Sequence, residues 1–313
     1  MPGMRDAIDL VINEVRTEAA TAEIAIWMLT VGVLAYTVAL GAERWNRRRG
    51  DSTVTTVCGW GAVRVAALLL MFTLLAVQVR LSGWVTGADT ATLDWFVAHR
   101  SPGVTAAAVV ITDAASPVGV ALVAVVTAAL VSWRRRSWEP GVLVVGIVAV
   151  AAAASTIVKM IVARSRPPTA SQLVTETDWS FPSGHVTGIV ALAGALLIVT
   201  GAGLPGRARG ALAGTLAVLV VVVVAATRLY LGVHWLTDVL GGALLGGAVV
   251  AAGSCAVTAL AARRPPGRAA EVTGAPAVPI SAVQISGIED GRPSDTPPMP
   301  HPVADEHRPI STG

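Results

Sequence analysis

The sequence predicts an all-α fold, a polytopic transmembrane helical bundle, and three observations predict it. The chain of 313 residues is 54% hydrophobic and 14% charged, with a mean hydropathy of +0.67, far too apolar for a soluble protein of this length. Its apolar residues gather into seven runs that reach the roughly 17 to 25 residues a helical bilayer crossing needs. Arginines recur in the short stretches between alternate runs, as they do on the cytoplasmic side of membrane proteins.

The runs centre on about 24–41, 65–83, 115–133, 141–160, 186–203, 211–227 and 236–261. Ahead of the first lie Asp6, Asp9, Glu14 and Glu18, where a cleavable signal would carry basic residues, so this segment is expected to stay in the mature chain. The arginine clusters are Arg44/Arg47/Arg48/Arg49 after the first run, Arg134/Arg135/Arg136 after the third, Arg207/Arg209 after the fifth and Arg263/Arg264/Arg268 after the seventh. All fall on one side of a seven-span path, which the positive-inside rule makes cytoplasmic, with the acidic N-terminus outside and the C-terminus inside. This distribution explains the formal charge of +3 without a nucleic-acid partner. Cys58 and Cys255 lie in different runs without metal-ligand spacing, so ordinary packing is expected of them. Residues 263–313 hold ten of the 18 prolines and few large apolar side chains. They read as a disordered cytoplasmic tail of unknown partner, in which His301 and His307 are solvated.

Four basic residues break the arginine rule. Lys159, Arg164, Arg166 and Arg228 fall at outer helix ends. Each alone admits a plain reading as a snorkelling anchor. Of the 23 basic residues, however, a single one, Lys159, is lysine, which points to a need for a compact ammonium at that place. Arg166, seven residues on, would share its helix face before Pro167-Pro168 stops the helix. Further along, Pro182-Ser183-Gly184-His185 introduces the fifth run. Ser183 is a good N-cap, Gly184 lets a backbone approach a ligand, and His185 falls in the first turn, so the free N–H groups there suit an anion. Simple capping is the structural alternative. The third stretch, "TRLYLGVHWLTDVLGG", sets Asp238 four residues after His234, a spacing that shares a helix face. The carboxylate can then fix the imidazole tautomer and leave the other nitrogen free to attack. A structural ion pair is the plain alternative.

Lys159 separated by six residues from Arg166-Pro167, then Pro182-Ser183-Gly184-His185, then Arg228 with His234 and Asp238 stand in order along the chain. This pattern resembles the type 2 phosphatidic acid phosphatase family, integral membrane lipid phosphatases whose active site is related to that of vanadium haloperoxidases. The resemblance covers about residues 60–260, with Thr227 standing where the family usually has serine. It implies a six-helix phosphatase core, residues 61–262, preceded by one extra N-terminal helix within residues 1–60. It also implies that His234 attacks phosphorus, Asp238 orients it and His185 serves as acid and then base, while Lys159, Arg166, Ser183, Gly184 and Arg228 hold the phosphoryl oxygens.

Phosphoryl transfer is catalysed chiefly by positioning and fixed positive charge, which three cations and a helix N-terminus supply. No cofactor and no metal are therefore expected, and Glu176 and Asp178 make a weak claim as metal ligands. The substrate implied is a lipid phosphate or diphosphate, such as undecaprenyl diphosphate, phosphatidic acid or phosphatidylglycerophosphate, reached from the surrounding membrane lipids at the outer face. A soluble haloperoxidase conflicts with seven spans. The alternative is a non-enzymatic membrane protein that binds or transports an anion or lipid phosphate; transport would need ionisable groups near the midplane, where these runs hold Ala, Val, Leu and Gly. Arg164 has no role under the resemblance, and His99-Arg100 belongs to an interfacial turn anchored by Trp95 and Phe96.

Overall fold

The computed structural model describes residues 4–50, 53–201 and 207–262. The predicted tail therefore lies outside the described residues, as do the side chains of the acidic N-terminal segment. Nine α-helices follow one another among the described residues: α1 Met4–Arg49, α2 Val54–Arg80, α3 Gly87–Ala98, α4 Pro102–Ala114, α5 Pro117–Arg135, α6 Glu139–Val162, α7 Gly184–Gly201, α8 Arg207–Tyr230 and α9 Leu236–Ala262. Each of the seven apolar runs is a helix. Six of these are long and apolar enough to cross a membrane. The other, α7, has 18 residues and at 1.5 Å per residue spans roughly 27 Å, close to the hydrocarbon thickness. The chain is a multi-pass membrane protein.

Two differences from the sequence expectation have clear causes. Helix α2 begins well before residue 65, because Thr53 caps it by accepting the Thr56 N–H at 3.3 Å and Arg64 pairs with Glu43 of α1 at 3.2 Å. The ion pair offsets the charge of Arg64 within the helix. Secondly, the stretch read as an interfacial turn is a pair of short helices, α3 and α4, hinged at His99 to Ser101. Pro102 opens α4 at a position where its missing N–H costs nothing.

Helix α9 packs against α2, α6 and α7 and carries Gly241, Gly242 and Gly246 on its inner face. A Cβ on Gly242 would lie 2.7 Å from the Ser183 carbonyl oxygen, so only glycine lets the entry to α7 come this close. Between α5, α6 and α7 the core is small and branched: Val120, Ala124, Val144, Ile147, Ala151, Ala191 and Ala195. Phe181, fully buried, stacks on Phe72 of α2 with ring centroids 5.7 Å apart and pins the segment before α7. Val118, Leu122, Val126, Leu219 and Val222 are among the large apolar side chains left exposed, the outward face a bilayer would solvate. The Cys58 thiol faces the Cys255 carbonyl at 3.8 Å, and both cysteines are free.

Candidate active site

The ends of α6 and α8 and the starts of α7 and α9 lie at one end of the bundle, with α3 and α4 beside them. Lys159 is in the last turn of α6. That helix ends at Val162, where Ala163 takes a left-handed conformation (φ 48°), so Arg166 does not share a helix face with Lys159 as the spacing suggested. The residue before a proline is disfavoured in helical geometry, and Arg166 precedes Pro167. The two cations converge all the same, through the fold. Both grip Asp178: Lys159 Nζ lies 2.9 Å from one carboxylate oxygen, and Arg166 Nη2 donates to the other. Lys159 also donates to the Trp179 carbonyl, and Arg166 Nε donates to the Asp178 carbonyl at 2.8 Å.

Ser183 precedes α7, and its carbonyl accepts the Thr187 N–H at 3.0 Å. Its hydroxyl does not cap the helix: Ser183 Oγ is buried and has no partner among the described residues. The expected N-cap is thus a backbone entry with the side chain left free. The Ser183 N–H donates to the Asp238 carbonyl at 3.0 Å, tying the start of α7 to α9. Gly184 faces Lys159: a Cβ there would sit 3.8 Å from Lys159 Cε and from Ser155 Oγ. His185 is buried in the first turn of α7, within electrostatic reach of Arg228, His234, Arg166 and Lys159.

Arg228, 1% exposed, donates from Nη1 to Thr112 of α4 at 2.7 Å and from Nη2 to Glu176. Its Nε has no partner among the described residues. Thr227, the departure noted above, bonds back to the Val224 carbonyl at 2.7 Å. Gly232, at φ 69°, takes the chain through the turn from α8 to His234 in a backbone region that side chains disfavour. His234 precedes α9, so the pair with Asp238 joins a loop to the first turn of a helix; the two do not share a helix face.

The His234–Asp238 geometry is that of an oriented imidazole. Nδ1 lies 3.3 Å from Asp238 Oδ2, and Nε2 points at Arg166 Nη1, 3.4 Å away. The carboxylate therefore holds the Nδ1–H tautomer and leaves the Nε2 lone pair in the cationic cup. Burial first, then the charges of Arg228 and Arg166, outweigh Asp238 and push the His234 imidazole down to about 4. It is neutral at physiological pH, with the Nε2 lone pair unprotonated.

Four residues that the sequence did not single out complete the site. Asp238 is wholly buried, and besides His234 it accepts from Ser180 Oγ, from the Trp235 N–H at 2.9 Å and from Arg164 Nη1 at 2.6 Å. Arg164 has a role after all. It also donates to Thr237 Oγ1 at 2.6 Å and to Asp89 of α3 at 2.5 Å. Asp89 in turn accepts the Thr237 N–H at 2.8 Å. Asp89 carries one faint sequence signal, a carboxylate in a stretch between apolar runs with no basic neighbour. Ser180, Thr237 and Thr112 carry none. His99 and Arg100 stay away from the cup: His99 stacks on Trp95, and Arg100 straps the Tyr230 and Ser171 carbonyls at 3.1 and 2.7 Å. Among the described residues no group of three or more His, Cys, Asp or Glu side chains is arranged to hold a metal ion.

Fold and site together define a helical membrane protein with a cluster of cationic side chains around an oriented histidine. The profile of the PAP2 superfamily matches residues 140–261. Phosphatidylglycerophosphatase B of Bacillus subtilis (strain 168) is 30% identical over 185 residues, 58% of this chain and 88% of the relative. Decaprenylphosphoryl-5-phosphoribose phosphatase of Mycobacterium tuberculosis is 36% identical over 136 residues, 42% of this chain and 68% of the relative. The crystal structure of a transmembrane PAP2-type phosphatidylglycerolphosphate phosphatase from Bacillus subtilis superposes with a TM-score of 0.56 at 28% identity, covering 59% of this chain and 92% of that one. The chain belongs to the PAP2 superfamily.

Proposed function

We propose that the chain is a metal-independent membrane lipid phosphatase that hydrolyses a lipid phosphate or diphosphate at the extracytoplasmic face through a phosphohistidine. The observation that carries this reading is the His234 ring, bonded through Nδ1 to Asp238 and directed through Nε2 at a guanidinium. The Nε2 lone pair attacks phosphorus while the bond to the leaving oxygen breaks, and His185 gives that oxygen a proton. Water then attacks phosphorus, His185 takes its proton, the N–P bond breaks, and phosphate leaves. Lys159, Arg166, Arg228, the Ser183 hydroxyl and the backbone at Gly184 offset the charge on the phosphoryl oxygens.

Both relatives are named as phosphatases of lipid phosphates, which supports that substrate class. The outer placement is supported by charge: Arg44, Arg48 and Arg49 end α1 and Arg134 to Arg136 end α5, the opposite ends from the cup in an alternating path. A site at a helix end lets a lipid tail stay in the bilayer while its phosphate enters. The test offers the purified protein, in detergent with EDTA, a panel of lipid mono- and diphosphates and measures released phosphate. Wild type should act on one class and His234→Ala on none; silence of the wild type across the panel would refute the proposal.

A further inference from the structure

The three cations assigned to the phosphoryl group are already paired, and their partners are carboxylates of one loop. Asp178 spans Lys159 and Arg166. Glu176 meets Arg228 with one oxygen and lies 3.9 Å from Arg166 with the other. Two carboxylates carry the charge of a phosphate monoester dianion, and they sit on the groups that would bind one. They reach the cup from the solvent side. The Asp178 side chain is 55% exposed and that of Glu176 26%, against 10% for Lys159, 8% for Arg166 and 1% for Arg228. The fit is partial: Ser183 Oγ and Arg228 Nε stay buried and unpartnered among the described residues, donors that two planar carboxylates do not reach.

We infer that Glu176 and Asp178 are internal competitors for phosphate, occupying the cup between turnovers and exchanging with the phosphoryl group of substrate and product. This rests on the function proposed above. Three cations fixed in a low-dielectric cup bind a dianion tightly, and a site that holds product phosphate as firmly as substrate turns over slowly. Carboxylates tethered beside the cup offset that attraction equally for both ligands and return to the cations as phosphate departs. Protonation does not relieve the competition. Burial alone would raise the Asp178 carboxyl, but Lys159 and Arg166 hold it down at about 2, so it stays ionised wherever the enzyme works.

The test replaces the charges and keeps the shapes, with Glu176→Gln, Asp178→Asn and the double variant in the full chain. Inorganic phosphate is titrated calorimetrically into each protein in detergent, and the same ligand is used as a competitive inhibitor of phosphate release. The double variant is expected to bind phosphate about tenfold more tightly, each carboxylate being open enough to solvent that its hold on the cations is the modest one of a screened ion pair. KM should fall with the inhibition constant, and kcat should not rise. Asp94→Asn, which removes a charge from an exposed position on α3, should leave phosphate binding unchanged. If the double variant does not survive purification, Glu176→Gln alone should tighten binding about threefold. Unchanged or weaker phosphate binding, or an equal effect from Asp94→Asn, overturns the inference. Because the calorimetric arm needs no turnover, a wild type that hydrolyses no lipid refutes the phosphatase reading while phosphate binding still decides this one.

Discussion

Arg164 offers the sharpest test of how the proposed nucleophile, His234, is held. It is the shared counter-charge of two buried carboxylates, 2.5 Å from Asp89 and 2.6 Å from Asp238, at 2% and 0% exposure of their side chains. Arg164→Met removes that charge and leaves both acids buried. Breaking a buried pair by removing one partner costs about 3–5 kcal/mol, which for a chain of this size corresponds to a loss of about 10 °C in Tm. Asp238 also loses the Arg164 donor on Oδ1, so the carboxylate that aims His234 is held through Oδ2 alone, by Ser180 and the Trp235 N–H. A misplacement of this kind costs about 100-fold in kcat. Thermal unfolding in detergent and phosphate release from a lipid monophosphate measure the two effects separately. The double variant Asp89→Asn/Arg164→Met no longer buries an unpaired Asp89 and should recover part of the lost stability. The reasoning fails if Arg164→Met keeps wild-type Tm and kcat, or if the second substitution lowers Tm further.

Three more outcomes follow from the same geometry. With p-nitrophenyl phosphate, whose leaving group needs no proton, His185→Ala should still form the phosphohistidine but hydrolyse it slowly, seen as a burst of nitrophenol and an acid-labile phosphate label on His234. The His234 imidazole loses its proton near pH 4, so it is neutral above that pH and protonated below it; after correction for substrate ionisation, the acid limb of kcat/KM, which reports the free enzyme, should lie near 4 and not near the ordinary histidine value of about 6.5. Asp238→Asn removes an interaction that raises this pKa and should move the limb lower still. Gly242→Ala would force a Cβ within 2.7 Å of the Ser183 carbonyl oxygen, an overpacking worth about 1–3 kcal/mol, and should lower both Tm and activity, whereas Gly210→Ala on α8, with open space around it, should lower neither.

Much of this chain is readable in one dimension because a bilayer demands local properties. A spanning helix must be apolar along its own length and must satisfy its backbone internally, so seven runs name seven helices from composition alone, and the arginine clusters order their ends. The three motifs are equally local, since each keeps its cup-facing residues within ten positions of one another. What the sequence could not state is how charges neutralise one another across the fold. Arg164 meets Asp89 and Asp238 from 75 and 74 positions away, and Arg228 meets Thr112 across 116. Nothing in hydropathy or helical period records a pairing at that distance, because the force that selects it, the cost of burying an unpaired charge, acts only once the helices have packed. The same packing moved Arg166 off the helix that its spacing suggested, freed the Ser183 hydroxyl from its expected cap, and set Glu176 and Asp178 on the cations. Local chemistry determined which residues carry positive charge and an imidazole to one set of helix ends; tertiary contact decided what holds them there.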